Sequence, residues 1–400
     1  MSTDPDKPRP AWTTIASIAL TGLLLWLGSG CASSSSARQT SWPRTGDPLV
    51  DGRTAISNAP PKDKVLWQCR TAAVAMRRGQ VLEAKSILDD VLLSIESRFT
   101  GDRSARKSRS YFGDESKKRF IGEPYERVMA YFYRGIIYWM DGEPDNARAC
   151  FRNAQVQDAD SEKKEYASDY VLLDYLDGFA TAKLAGDGSD ALKRATNSAK
   201  LSVPPPYNPK ANVLFFVEMG HGPTKFATGE YAEELRFKPG FSENKAVRIR
   251  IGNQLHTAEA YDDLSFQATS RGGRVMDHIL ANKAVFKSTT DVAGNVGLIS
   301  GLVLAQNRST QEVGLGLAAA GLLSKIVSAA TTPEADTRAW DNLPQYLSFA
   351  ALQLPPGQYT AQIEFADSPT SPIARTIRQA TFTVNDLRKD IVVFVSDQLQ

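Results

Sequence analysis

Four hundred residues, 42% of them apolar and 23% charged, suffice for two or three folded domains and are too apolar for a disordered chain. A formal net charge of +2 gives no overall basic surface, so composition offers no case for a nucleic-acid partner. The three cysteines are few, and Cys31 closes the apolar N-terminal segment, leaving Cys69 and Cys150 for the folded part.

Residues 1–12 are polar and carry Lys7 and Arg9. An uncharged, mostly apolar stretch runs from Thr13 to Gly30, and the small residues Gly28-Ser29-Gly30 end it directly before Cys31. This is the three-part pattern of a secretory signal peptide over residues 1–30. Its end resembles a bacterial lipobox, in which a Cys after small residues is diacylated and becomes the mature N-terminus. Gly28 stands where that pattern usually has Leu, and Leu27 comes one residue early. An uncleaved anchor helix is the other reading, because the stretch approaches the roughly 18 apolar residues of a credible span. The small residues and the low-complexity tail favour the lipoprotein, with Cys31 as the lipidation site. Ala32, not Asp, follows the Cys. By resemblance to Gram-negative lipoproteins, this implies a lipid anchor in the cell outer membrane with the folded part on its periplasmic face. The polar tail, Ala32 through Ser36 and on to Asp63, reads as a flexible tether over residues 31–63.

From 64 to 200 the apolar period is helical. Two helices flank the turn Asp141-Gly142-Glu143-Pro144, where Gly breaks the first and Pro opens the second. The order Tyr131, Gly135, Tyr138, Ala147, Phe151, Ala154 resembles the tetratricopeptide repeat, in which small residues sit where two helices cross and aromatics fill the gaps. Weaker units flank it, one around Gly79, Ala84 and Leu88 and one around Tyr175, Gly178 and Ala191. Their spacing exceeds that of a strict array, so the repeats carry insertions. The largest, Arg98 to Glu123, holds the basic run Arg103–Arg109, which reads as a solvated loop or as a contact to anionic lipid or glycan. A short solenoid binds peptide or protein on its concave side, and Tyr131, Arg134 and Tyr138 are the candidate partner-binding residues. The alternative is that these helices pack only against the rest of the chain. Cys69 and Cys150 lie in helical patterns, either as two buried thiols or as a disulfide if their Cα atoms come within about 7 Å.

Ser202–Pro209 breaks the helical pattern, and residues 201–400 read as a mixed β domain. Expected strands are 212–218, 246–251, 263–267, 346–352, 359–365, 375–384 and 391–396. These suggest an antiparallel sandwich-like arrangement, interrupted by a helical insertion near 274–333. Within it, Asp291–Pro333 contains two Gly/Ala-rich apolar stretches, each shorter than the roughly 20 residues of a membrane span. Small residues at such spacings let helix backbones approach closely. That stretch reads as a hairpin packed in the core or at a homo-oligomer interface, or inserted shallowly into a membrane.

Chemistry-bearing motifs are missing from the sequence: no Gly-x-Ser-x-Gly elbow, His-Glu-x-x-His helix, Cys-x-x-Cys pair or phosphate-binding loop. Of the three His, His221 in Gly220-His-Gly-Pro-Thr-Lys225 is the most suggestive, because flanking glycines allow close backbone approach. His221 and Lys225 form a possible ligand turn, against the commoner structural role of a His in a Gly-rich turn. Arg338 and Trp340 form either a cation–π pair or a packed corner.

Taken with Gly122–Met129, the Gly-His-Gly-Pro-x-Lys turn and Asp336–Pro344 before Leu354-Pro-Pro-Gly, the chain resembles a family of tetratricopeptide-containing lipoproteins of Gram-negative bacteria. The resemblance implies architecture and location and brings no catalytic residues. The resulting expectation is an α+β protein, helical repeats ahead of the β domain, acting as a non-enzymatic, cofactor-free scaffold for a periplasmic or outer-membrane protein. A homo-oligomeric envelope component assembling through 291–333 is the alternative.

Overall fold

Among the described residues, the first helix arises where the tether was expected. The computed structural model describes residues 42, 44–99, 119–159, 167–269, 335–371 and 374–398, and Pro48–Asn58 is helix α1. Asp47 caps it, accepting hydrogen bonds from the amides of Leu49 and Val50, and Pro48 fills the first helical position, where its missing N–H costs nothing. Leu49 and Ala55 are buried, so the folded part begins ahead of residue 64. A short helix among prolines and polar residues has too few apolar positions to declare itself by period.

Six further helices among the described residues follow as three antiparallel pairs: α2 Lys64–Arg77 with α3 Val81–Phe99, α4 Pro124–Met140 with α5 Pro144–Asp158, and α6 Val171–Lys183 with α7 Ser189–Ser198. The expected turn glycines carry out the reversals: Gly79 and Gly142 have φ of +68° and +81°, values that favour residues without a Cβ. Within each pair the two helices differ. α2, α4 and α6 are buried around almost their whole circumference, whereas α3 buries only Ala84, Leu88, Val91 and Ile95, one residue per turn.

The strands explain that asymmetry. β1 (Val213–Met219) is buried at every position and lies at the centre of a mixed sheet with β6 (Asp262–Asp263), β7 (Tyr346–Leu352) and β10 (Ile391–Ser396), in the order β10-β1-β7-β6. Period-two alternation sends Leu214 and Phe216 to the helices and Val213, Phe215, Val217 and Met219 to the other side. On the helix side, the Phe216 ring centroid lies 4.9 Å from that of Phe349 and 6.3 Å from that of Phe132. On the far side, the apolar residues share a core with a second sheet. That sheet contains β4 (Ala246–Ile251), β5 (Gln254–Glu259), β8 (Gly357–Ala366) and β9 (Thr376–Val384), in the order β5-β4-β8-β9. A small hairpin, β2 (Thr224–Thr228) with β3 (Glu234–Lys238), stands apart from both sheets. The fold is therefore mixed α+β.

Two expectations for the strands need correction. β1 pairs with β10 in parallel, so the sheet is not purely antiparallel, in keeping with the unbroken apolar run of a strand covered on both faces. Residues 263–267 do not form a strand. Only Asp262–Asp263 pair with β7, and the chain then turns into helix α8, Leu264–Thr269. The Asp263 carboxylate accepts from the Ser265 amide and so starts the helix where an alternating pattern suggested extension. Cys69 and Cys150 are both buried and free. Cys31, the basic run 103–109 and the Gly/Ala-rich segment 291–333 lie outside the described residues. Among the described residues no helix is long and apolar enough to cross a membrane.

Candidate functional site

The candidate partner-binding residues on α4 turn out to hold neighbouring helices. Arg134 Nε donates to Asp89 Oδ1 on α3 at 2.7 Å, and its guanidinium lies 3.6 Å above the Tyr138 ring centroid. Tyr131 donates its hydroxyl proton to Glu96 Oε1 at 3.1 Å, and burial together with the Glu96 carboxylate holds the phenol above its ordinary range. Both Tyr131 and Arg134 are 3% exposed, so they offer no free surface to a partner. Their polar atoms meet the adjacent helix of this chain, and Tyr138 is only half-buried beside them. Small residues permit the crossing: a Cβ added to Gly135 would stand 2.6 Å from the Phe151 ring. Burial pushes the neighbouring Cys150 thiol up to about 12, which leaves it protonated and unreactive.

The inner face of the helical layer is likewise occupied. α2, α4 and α6 pack on the central sheet: Tyr133 meets Phe394 of β10 edge-on at 5.9 Å, and Phe179 meets Phe349 of β7 at 5.7 Å. Charged groups are buried in this seam. Arg77 Nε pairs with Glu218 on β1, and Tyr133 donates to the other Glu218 oxygen at 2.6 Å. Burial and the Glu218 charge together hold the Tyr133 phenol well above its ordinary range. At the far end of β1, Trp139 Nε1 and Lys183 Nζ both donate to Asp390, at 2.8 Å and 2.5 Å.

The Gly-rich turn separates its two candidates. His221 is exposed and bridges Phe241 through backbone bonds of 2.8 Å and 2.9 Å. Lys225 turns inward, its side chain 2% exposed, and pairs with Glu126 Oε2 at 2.5 Å. The same Glu126 accepts from the Glu123 amide at 2.6 Å, closing the N-terminus of α4, and from the Trp340 amide at 2.6 Å. Lys225 thus ties the turn to the start of α4, while His221 stays at the surface. Arg338 bonds Asp336 and Asp63, while Trp340 is fully buried, so this segment is a packed corner.

A shallow pocket of about 150 Å³ opens where α6, α7 and α8 converge, lined by Asp169, Lys200, Tyr261, Asp262, Phe266 and Gln267 among others. Asp262, 4% exposed, accepts from the amides of Val171 at 2.9 Å and Leu172 at 2.8 Å, the first turn of α6. Asp169 receives Lys200 at 2.8 Å and Gln267 at 2.8 Å. None of these residues stood out in the sequence. The available signals were the doubled Asp262-Asp263 before an apolar residue and Glu123-x-x-Glu126 around Pro124, both helix-start patterns. Among the described residues, no group of three His, Cys, Asp or Glu is arranged to hold a metal ion. Comparison with protein-family models, with curated proteins and with solved structures gives no match.

Proposed function

We propose that the chain is a lipoprotein anchored through Cys31 in the outer membrane, acting on the periplasmic face as a non-enzymatic scaffold for a protein partner. In this reading its helix pairs are of tetratricopeptide type and its two sheets form a sandwich-like unit. The close crossings support the repeat assignment: Gly135 lies against Phe151, and a Cβ on Gly178 would stand 2.9 Å from that of Ala191. The apolar core shared by the two sheets supports the sandwich assignment.

The scaffold reading is carried by the contrast between the two helices of each pair. The inner helices are covered by the chain's own sheet, so a partner meets the outer ones. There Leu82 and Leu93 on α3 are 82% and 66% exposed, and Val156 on α5 is 65% exposed. Leu82 and Leu93 fall on one stripe of α3, three helical turns apart. Docking therefore uses the outer surface, and Tyr131 and Arg134 support it from beneath.

A photo-crosslinking side chain at position 82 or 93, read in living cells, tests this. Adducts with another envelope protein are expected from both positions, but not from exposed Leu387, and are expected to vanish in Cys31→Ser. Adducts with a second copy alone would replace the scaffold by a homo-oligomer, and no adduct from either position would overturn the reading.

A further inference from the structure

β9 is the last strand of the second sheet, and among the described residues it pairs on one side only, with β8. Other sheet margins are short or tied down. β6 has two residues, and β5 has six, the last of which, Glu259, accepts from Ser348 Oγ at 2.6 Å through its carbonyl. β9 runs nine residues, Thr376–Val384, with no Pro, Gly, Lys or acid to discourage a further strand. Its one charge, Arg378, sits opposite Ile363 on the core-facing side, where it donates to the carbonyls of Ser396 and Asp397 at 3.3 and 3.1 Å. The core under this strand is left open at its margin. Ala380 and Phe382 face the same apolar core as Val247 and Ile249, and the Phe382 ring lies 6.0 Å from that of Phe215. Both stay half-buried, whereas Val247 and Ile249 are 0% exposed. On the outer face of the strand Ile377 is 50% exposed.

We propose that β9 pairs antiparallel with β9 of a second copy about a two-fold axis at Ala380, joining the two β5-β4-β8-β9 sheets into one. Ala380 is the midpoint of Thr376–Val384, so an axis there lets the whole strand overlap its copy. A side chain at the axis meets itself, and Ala380 is the smallest on the strand. Arg378 then faces the partner's Phe382 on the core side, a guanidinium against a half-buried ring. Gln379 faces the partner's Thr381 on the outer side, amide to hydroxyl. Charge selects against the neighbouring alternative: an axis at Arg378 would set two guanidinium groups opposite each other. Pairing gives partners to the outward amides and carbonyls of β9 and covers Phe382 and Ile377. This edge belongs to the layer farthest from the helices, so it leaves Leu82 and Leu93 open and does not depend on a scaffold partner docking there.

The test uses the full chain in detergent, with native mass spectrometry for its oligomeric state and non-reducing electrophoresis for cysteine variants. Facing Cα atoms of an antiparallel pair stand about 4.5–5.5 Å apart, within reach of a disulfide. Ala380→Cys should therefore link two copies on oxidation. Ile377→Cys, although the more exposed position, should not, because it faces the partner's Thr383. Ile377→Cys coexpressed with Thr383→Cys should give the mixed dimer. Ala380→Lys sets two like charges on the axis and should raise the dimer dissociation constant at least about tenfold. Should that variant not fold, the cysteine pairs decide. A monomer at every concentration overturns the proposal, as does linkage of Ile377→Cys as readily as Ala380→Cys. Linkage of Ala380→Cys to a different protein also overturns it and makes the edge a site for an extended peptide.

Discussion

The two faces of the central sheet are joined to their neighbours by different physics. Toward the second sheet, Phe215, Val217, Val247, Ile249, Ile363 and Phe365 meet in an apolar core. Toward the helices, the rings of Phe216 and Phe349 are interspersed with buried charge, Arg77 with Glu218 and Asp262 on the α6 amides, and the separate β2–β3 hairpin adds Lys225 with Glu126 of α4. An apolar contact is non-directional and tolerates small changes of shape. A buried charge fixes orientation but fails once its partner is removed. The sheet-to-sheet joint supplies cohesion, and the helix-to-sheet joint supplies register.

Four substitutions sharpen that contrast. Lys225→Met leaves Glu126 charged and buried, and is expected to cost about 3–5 kcal/mol by denaturant unfolding. Adding Glu126→Leu removes the stranded charge but also the acceptor of the Glu123 and Trp340 amides, so it should restore only part of the loss, and no recovery at all would show that the pair does not act as a unit. Gly135→Ala tests how closely the helices cross. Its methyl would meet the Phe151 ring, and the expected cost is about 1–3 kcal/mol. Ile249→Val in the apolar joint should cost only about 0.5–1.5 kcal/mol, with the same pH dependence as the unsubstituted chain. A larger effect there than at Lys225 would reverse the ranking of the two joints.

Much of the architecture was legible in the sequence. β4, β7 and β10 occupy the expected residues, and the turn at Gly142 and Pro144 divides α4 from α5 as read. Period-two alternation and glycine punctuation are local signals, so local reasoning finds them. The candidate site was less legible for a related reason. An apolar stripe such as that of α4 says that something covers it, not whether the cover is another protein or the chain's own sheet. From sequence, Tyr131 and Arg134 read as partner-binding residues of a concave repeat face and Lys225 as part of a ligand turn; its partner Glu126 lies ninety-nine residues away. Asp262 was missed because its two partners, Val171 and Leu172, are equally distant along the chain.

The strand order β10-β1-β7-β6 also has a consequence for synthesis. β1 is made once residue 219 has emerged, but both of its neighbours come from residues 346–396. Until residues 346–396 have been made, one or both edges of β1 therefore lack a partner strand. Pairings this distant in sequence are slow to close, and they leave apolar surface and strand edges exposed while they wait. Loss of residues 391–396 would remove β10, and with it the Phe394 contact to Tyr133, leaving one edge of β1 without its parallel partner.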